Sequence, residues 1–304
     1  MTKMFLGDRS RGIFYRYIIP AVLTFVCISG CEESADVDSA YVEPECSDEK
    51  DLDEEIEHFQ QMCKPNGKNE STLVLLDATD VIKPEQIEYV LDNYVSGIKL
   101  EDEGDVLTIA KLDSKPVQVM EKISICAPKP MKDFDWWLHN KKKMQYEVKR
   151  FQDTAYCSVK KITKKMKEEN KSFLIEAIVE VFRNKTFKLK NATNRKLILT
   201  SDLYQNSELI SFQKICRPRP NGQIQCPSLV KTKEKSRRLG DYLKRICGEK
   251  EGGLGFLPED SIEIYYLVQN GRIDGSAKPW WTEFLVGYCG LERENLKIVP
   301  ELQK

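Results

Sequence analysis

Two short clusters of oxygen-bearing side chains follow apolar runs in this sequence and are its best candidates for chemistry. Asp77-Ala-Thr79-Asp80 comes directly after the run at 72–76, and Ser201-Asp202 follows a similar run at 195–200. In an open α/β sheet, ligands bind beyond the carboxyl ends of the strands, where the direction of winding reverses. Carboxylate and hydroxyl oxygens are the ligands that Mg²⁺ and other hard divalent ions prefer.

The same residue types also have a purely structural use. Asp, Ser and Thr just past a strand commonly cap the next helix or close a turn. Thr79 or Asp80 could cap a helix beginning at Pro84, and Ser172 is placed to cap a helix over 172–182. Capping and ion binding therefore both remain open for these residues.

Several other catalytic patterns are missing or incomplete. No Gly-rich phosphate loop follows a strand, and no Gly-x-Ser-x-Gly sequence is present. The chain has only two histidines, His58 and His139. These observations argue against phosphoryl transfer and against a Ser-His-Asp hydrolase. The tryptophan pairs at 136–137 and 280–281 could form a partner surface, but at helix beginnings such residues more often pack in a core.

Apolar periodicity predicts alternating strands and helices around the two clusters. Strands are expected at 72–76, 105–112, 117–126, 195–200, 261–268 and 295–299, and helices at 141–169, 172–182, 233–247, 279–290 and from Pro84 onward. The four-residue link at 113–116 implies that the second and third strands form an antiparallel hairpin, because a parallel crossover needs more chain. The alternation predicts an α/β fold with a doubly wound, mostly parallel, Rossmann-like sheet and an antiparallel edge strand.

Three segments resemble the von Willebrand factor A family, within an overall resemblance that covers about residues 71–300. They are Leu75-Leu-Asp-Ala-Thr-Asp-Val81, Ser172-Phe-Leu-Ile-Glu-Ala-Ile178 and Leu199-Thr-Ser-Asp-Leu-Tyr-Gln-Asn206. That family places Asp-x-Ser-x-Ser after its first strand, a Thr at the start of a later helix and an Asp after its fourth strand. Together these residues bind a divalent ion, usually Mg²⁺.

The resemblance implies a degenerate ion site in this chain. Asp77, Thr79, Ser172 and Asp202 stand where the family has ligands, whereas Val81 stands at the second Ser and cannot ligate. Losing that hydroxyl should weaken the site. In the family, an acidic side chain of a partner completes the ion's shell, so the resemblance implies binding of a protein partner.

The first thirty residues look like the signal peptide of a bacterial lipoprotein. Four basic residues precede an apolar stretch at 18–28, which is too short for the roughly 20 residues of a membrane span. Ile28-Ser29-Gly30-Cys31 then resembles a lipobox, in which the thiol of Cys31 would receive lipid. We therefore expect cleavage before Cys31 and lipid anchorage in the cell envelope, facing the periplasm or the cell exterior.

Residues 31–70 are expected to form an acidic tether. Residues 32–57 hold thirteen Asp or Glu and one Lys, a composition that favours an extended, self-repelling chain, with a short helix beginning near Asp51. Residues 71–304 would then be the folded domain, with a Cys-bearing insertion near 204–230. The mature net charge of −4 gives no general attraction to nucleic acid.

Eight cysteines remain after Cys27 leaves with the signal and Cys31 takes lipid. An even number in an exported chain predicts structural disulfides, whose connectivity the sequence does not give. Cys216 with Cys226 is the first pairing expected, because it closes a turn-rich stretch at 217–222.

These features favour a binding module over an enzyme. The leading hypothesis is an envelope lipoprotein for adhesion or envelope-complex assembly that holds an envelope or surface protein, with Mg²⁺ as the candidate ion. One alternative is a metal-dependent hydrolase that uses the same carboxylates on an envelope substrate. The other is a structural scaffold without metal.

Overall fold

The computed structural model divides the chain into two units, Met1–Glu43 and Pro44–Lys304. All the residues it describes lie in the second unit, namely 44–46, 48–63, 70–77, 104–112, 122–128, 141–164, 171–183, 192, 194–218, 224–247, 254, 256–266 and 277–300.

Six strands of the described chain form one mixed sheet. They are β1 (Glu70–Asp77), β2 (Val106–Leu112), β3 (Lys122–Cys126), β4 (Asn194–Ser201), β5 (Ser261–Tyr266) and β6 (Leu296–Pro300). The spatial order is β3-β2-β1-β4-β5-β6. Only the β2–β3 pair is antiparallel, and the other four neighbouring pairs run parallel. The expected α/β fold with an antiparallel edge strand is confirmed.

Seven α-helices of the described chain accompany the sheet. They are α1 (Glu49–Gln61), α2 (Lys141–Lys164), α3 (Leu174–Arg183), α4 (Phe212–Ile215), α5 (Leu229–Lys235), α6 (Arg237–Cys247) and α7 (Ala277–Thr282). A π-helical turn, Glu283–Tyr288, continues α7. The helix expected from Pro84, the strand start at 117–121 and the tryptophan pair at 136–137 lie outside the described residues.

Both faces of the sheet are covered because alternate strand residues point to opposite sides. Leu73 and Leu75 of β1 belong to the core formed with α3, α6 and α7. Val74 and Leu76 belong to the core formed with α1 and α2. A strand buried on both faces is continuously apolar, which explains the apolar runs in the sequence.

The helix expected over 233–247 is two helices that meet at Ser236. The Ser236 hydroxyl accepts a hydrogen bond from Leu239 N–H at 3.3 Å and donates to the Leu209 carbonyl at 3.1 Å. A serine that caps the next helix in this way favours a new helix start over continuation of the old helix. Helical periodicity alone did not reveal this break.

The acidic segment contains the short helix expected to begin near Asp51. From Glu49 it forms α1, whose Leu52, Ile56 and Phe59 are buried in the core with α2. Their four- and three-residue spacing builds one apolar face, and the acidic residues occupy the other. Glu55 pairs with Arg150 on α2 at 2.6 Å. Helix α1, which lies within the segment 31–70, therefore packs against the folded domain.

Four disulfides join the eight cysteines of the described chain. The pairs are Cys46–Cys157, Cys63–Cys126, Cys216–Cys226 and Cys247–Cys289. The Cys216–Cys226 bond closes a small hairpin of Arg217–Pro218 with Ile224–Gln225, as expected from the sequence. So many structural disulfides indicate an oxidising compartment outside the cytoplasm. Among the described helices, none combines the length and apolar character needed to cross a membrane.

Candidate functional site

The candidate site lies at the carboxyl-terminal edge of the sheet, between β1 and β4. The chain winds outward from β1 to β2 and β3 on one side, and from β4 to β5 and β6 on the other. The direction of winding reverses between β1 and β4, which is where open α/β sheets bind ligands. Asp77 ends β1 and Ser201 ends β4, so the two clusters singled out in the sequence meet at this position.

Asp77 is a buried carboxylate at this edge and accepts hydrogen bonds from two serine hydroxyls. Asp77 is only 1% exposed. Ser172 Oγ donates to Asp77 Oδ2 at 3.1 Å, and Ser201 Oγ donates to the same oxygen at 2.7 Å. Both serines are buried as well. Three segments distant in sequence therefore meet around one carboxylate.

Ser172 is fixed by the loop that follows β4. Its backbone N–H donates to the Asn206 carbonyl at 3.0 Å, and Asn206 N–H donates back to the Ser172 carbonyl at 2.9 Å. The first turn of α3 is capped by Gln205, whose Oε1 accepts from Ile175 N–H at 2.8 Å. The Ser172 hydroxyl, which the sequence also offered as a helix cap, donates to Asp77 instead.

Ser201 is oriented by an unusual backbone turn. Leu203 has a φ of 66°, in the left-handed region that non-glycine residues rarely adopt. In this conformation its N–H donates to Ser201 Oγ at 2.9 Å, and its carbonyl accepts from Trp281 Nε1 at 3.0 Å. Because Ser201 Oγ accepts a hydrogen bond from the backbone and donates to Asp77, its hydroxyl orientation is fixed at both ends. Rare backbone conformations of this kind persist where the surroundings fix them, and they cluster at functional sites.

Asp202 and Thr79 were the other two expected ligands. Asp202 is half-buried, and its Oδ1 accepts from Tyr204 N–H at 2.7 Å, which closes an Asx turn. Thr79 lies outside the described residues. Ligation by Asp202 and Thr79 stays a prediction.

The sequence reading overlooked Ser201 as the direct neighbour of Asp77. In the parallel register Leu76 pairs with Thr200, so Asp77 and Ser201 occupy equivalent positions on adjacent strands. Successive side chains of a strand alternate between faces, so Ser201 points to the same face as Leu199. Leu199 lies in the same core as Leu75 of β1. Counting this alternation from Leu75 in β1 and from Leu199 in β4 would have identified Ser201 as the neighbour of Asp77.

Gln205 is a second residue that sequence reasoning missed. It is fully buried, and besides capping α3 its Nε2 donates to Glu176 at 2.9 Å and to Ser207 Oγ at 2.8 Å. Burial raises the pKa of Glu176, and the hydrogen bonds from Ser207 and Gln205 oppose that rise. Nearby, burial and the charge of Glu176 raise the pKa of Tyr242 to about 12. Gln205 thus ties the loop after β4 to the start of α3, which positions both serines at Asp77.

The donors described at this edge suit a hard ion better than a soft one. Asp77, Ser172 and Ser201 offer only oxygen, and each hydroxyl retains lone-pair capacity while it donates to Asp77. Mg²⁺ is bound through one or two carboxylates and keeps several waters, whereas zinc favours nitrogen and sulfur. Within the described ranges, no group of three or more His, Cys, Asp or Glu side chains is placed to hold a metal. The oxygen donors agree with the chemistry of a hard ion such as Mg²⁺, and its binding at this edge stays a prediction.

Two other expectations concern residues away from this edge. Trp280 and Trp281 are almost completely buried and pack edge to face with Phe212 and Phe284, so they belong to the core and form no partner surface. Cys31, the expected lipidation residue, lies outside the described residues.

No protein-family model matches this sequence, and no curated protein matches it.

Proposed function

We propose that this protein is a lipid-anchored cell-envelope protein whose α/β domain binds a protein partner at the edge that carries Asp77, with help from a divalent ion. The proposal has two separable parts, the anchor at Cys31 and the binding edge. Each has its own support and its own test.

The anchor is supported by the N-terminal sequence and by the disulfides. A basic start, a short apolar stretch and Ile28-Ser29-Gly30-Cys31 form a lipoprotein signal pattern. Four disulfides in the domain agree with export to an oxidising space. A diacylglyceryl group together with an N-acyl chain provides the several chains that lasting anchorage requires.

One observation carries the binding edge: a buried carboxylate with two hydroxyl partners at the switch point of the sheet. Asp77 and Ser201 end the two strands between which the winding reverses, and Ser172 joins them from the start of α3. This strand order and the antiparallel third strand agree with the resemblance to the von Willebrand factor A family. The resemblance assigns partner binding to this same edge.

The ion would be held by Asp77, Thr79, Ser172 and Asp202, and Mg²⁺ is the candidate. When bound, it would supply a positive charge that attracts an oxygen ligand of the partner. The residues of this chain orient that charge: Leu203 fixes the hydroxyl of Ser201, and the Asn206 bridge fixes Ser172. Both hydroxyls in turn restrain Asp77.

Affinity capture from the native envelope tests the binding edge. The intact lipoprotein should retain a partner that is lost with a chelator, restored by Mg²⁺ and absent with Asp77→Asn. Asp53→Asn is the matched control, because Asp53 is an exposed carboxylate on α1. A partner that is retained equally by Asp77→Asn and in the presence of chelator would refute ion-dependent binding.

Membrane fractionation tests the anchor. The wild-type protein should sediment with membranes, and its N-terminal peptide should begin at a lipid-modified Cys31. Cys31→Ala should leave the signal peptide uncleaved and the lipid absent. Wild-type protein that keeps residues 1–30 and lacks lipid would refute this part alone.

A metal-free scaffold is the second candidate function, and the hydrogen bonds of Asp77 favour it. Both serine hydroxyls already donate to this carboxylate, as in a network that only holds β1, β4 and α3 together. In that case Asp77→Asn would lower the free energy of unfolding and leave partner capture unchanged.

A further inference from the structure

Helices α5 and α6 form a positively charged surface. Helices α5 and α6 carry seven basic side chains and two acidic ones, Glu234 and Asp241. With Glu208 from the neighbouring loop, the net charge of this surface is +4. The whole chain, in contrast, has a net charge of −1. The positive charge is therefore local.

Hydrogen bonds connect this surface to the Asp77 site. Ser236, between α5 and α6, donates to the Leu209 carbonyl at 3.1 Å. In the same loop, Ser207 Oγ accepts from Leu209 N–H at 3.1 Å and from Gln205 at 2.8 Å. Asn206 of this loop bridges to Ser172, which donates to Asp77. The loop after β4 therefore contacts both the Asp77 site and the basic surface.

A groove of about 450 Å³ lies between α6 and this loop. It is lined by Glu208, Leu209, Arg238, Asp241, Tyr242 and Arg245. Arg245 stacks over the ring of Tyr242, with 5.4 Å from its guanidinium carbon to the ring centre. Arginine and tyrosine are the residue types that contribute most often to binding energy at protein interfaces.

We propose that this groove docks an acidic segment of the protein partner, with Arg238 and Arg245 pairing with its carboxylates. This inference rests on the proposed function, because it names the chemistry of the partner that binds beside Asp77. Arginine suits this role because its planar guanidinium can pair with a carboxylate through two parallel hydrogen bonds. The Tyr242 hydroxyl, which is protonated at neutral pH, adds a hydrogen-bond donor to the groove.

Protein carboxylates fit this surface better than lipid headgroups do. Surfaces that bind membranes combine basic residues with exposed large apolar residues that insert between the lipids. Of the large hydrophobic residues that are exposed in the described chain, only Val230 lies on α5 or α6.

Binding of fluorescent poly-L-glutamate to the chain from position 31, carrying Cys31→Ser, tests the proposal. Arg238→Glu together with Arg245→Glu should weaken binding at low salt by roughly tenfold or more. Lys142→Glu together with Lys143→Glu is the matched control, because these exposed residues lie on α2, which packs on the other face of the sheet. The control should bind as the wild type does.

Three results would overturn the proposal. The first is equal weakening by both double variants, which would mean general charge attraction. The second is wild-type binding that is unchanged by the Arg238 and Arg245 substitutions. The third is tighter binding to vesicles of phosphatidylglycerol and phosphatidylethanolamine than to poly-L-glutamate, with the same dependence on the two arginines, which would assign the groove to lipid.

Two measurements separate this proposal from the ion-dependent function. Asp77→Asn should leave poly-L-glutamate binding intact, because the groove does not include Asp77. If partner capture does not depend on Mg²⁺ but poly-L-glutamate still binds through the two arginines, only the ion-dependent function is refuted. If partner capture depends on Mg²⁺ but the Arg238 and Arg245 substitutions change neither capture nor poly-L-glutamate binding, only the groove proposal is refuted.

Discussion

Two aspartates are buried at opposite ends of the central strands, and the protein satisfies them in different ways. Asp260, just before β5, is paired with the Arg195 guanidinium and also accepts from Leu257 N–H at 2.6 Å. Asp77, at the end of β1, accepts from the neutral hydroxyls of Ser172 and Ser201. A guanidinium neutralises a carboxylate, whereas hydroxyls leave its negative charge in place.

This difference indicates different roles for the two ends of the sheet. Arg195, at the start of β4, lies at the amino-terminal end and also donates to the Phe182 carbonyl at 3.2 Å, so the Asp260 end is a closed structural pair. At the Asp77 end the two serine partners carry no charge, which suits the proposed divalent ion. We therefore expect stability to depend more on Asp260 and binding to depend more on Asp77.

Asp260→Asn should have the largest effect on stability. It removes the negative charge that pairs with the buried Arg195 guanidinium, which costs about 3–5 kcal/mol in the free energy of unfolding. Denaturant unfolding of the oxidised chain measures this loss. Replacing both partners, as Arg195→Met with Asp260→Leu, should recover part of the loss, because Leu257 N–H and the Phe182 carbonyl still lose these hydrogen bonds. No recovery would show that the ion pair is not the cause. The capture of a partner by the folded protein should be unchanged.

Gln205→Ala should have the next largest effect on stability, and it should reduce both stability and partner binding. Loss of its amide removes the acceptor of Ile175 N–H and one of the two side-chain donors to Glu176, at a cost of about 2–3 kcal/mol. It should also weaken ion-dependent capture, because the loop that holds Ser172 loses its tie to α3. Gln60→Ala, at an exposed position of α1, is the control. Normal capture by Gln205→Ala would show that this tie does not position the site.

Asp77→Asn should lower the free energy of unfolding by only about 1–2 kcal/mol, since an amide oxygen can still accept from both hydroxyls. Its effect on binding should nevertheless be complete. Denaturant unfolding and partner capture should both be measured on Asp77→Asn and Asp260→Asn. Asp77→Asn should lose less stability and more binding than Asp260→Asn. A larger stability loss for Asp77→Asn than for Asp260→Asn would contradict the assignment of roles.

Glu176→Gln should have the smallest effect, and the effect should depend on pH. Burial raises the pKa of Glu176 above its ordinary value of 4.5, so the folded state holds this proton to higher pH than the unfolded state does. Stability therefore falls as the pH rises from the ordinary carboxyl pKa through the raised one. The Gln variant should be more stable than the wild type at about pH 7 and equally stable near pH 4. Glu234→Gln, at an exposed position on α5, should show no such difference.

The strands of the sheet were predictable because each needed only a local pattern. The apolar residues at 73–76 in β1 and 197–199 in β4 reflect burial on both faces, and the short link expected at 113–116 predicted the antiparallel β2–β3 pair. The break at Ser236 was not visible, because it depends on a hydrogen bond to Leu209, 27 residues away. The packing of α1 was missed because the abundance of acidic residues concealed the spacing of Leu52, Ile56 and Phe59.

The candidate site was predictable only in part. The position of Asp77 followed from strand ends and topology, which local sequence provides. The choice of Ser201 as its neighbour needed the register between β1 and β4, and the role of Gln205 needed the fold of the loop over α3. Interactions of this kind join residues up to 124 positions apart, so no local pattern specifies them.

Calorimetric titration of the chain from position 31 with Mg²⁺ and Mn²⁺ tests the central claim most directly. We predict saturable binding at one site with a dissociation constant below about 1 mM, the affinity of weak extracellular ion sites. This binding should be lost in Asp77→Asn and retained in Asp53→Asn. No heat of binding below that concentration, or equal binding by both variants, would contradict an ion-dependent site at Asp77.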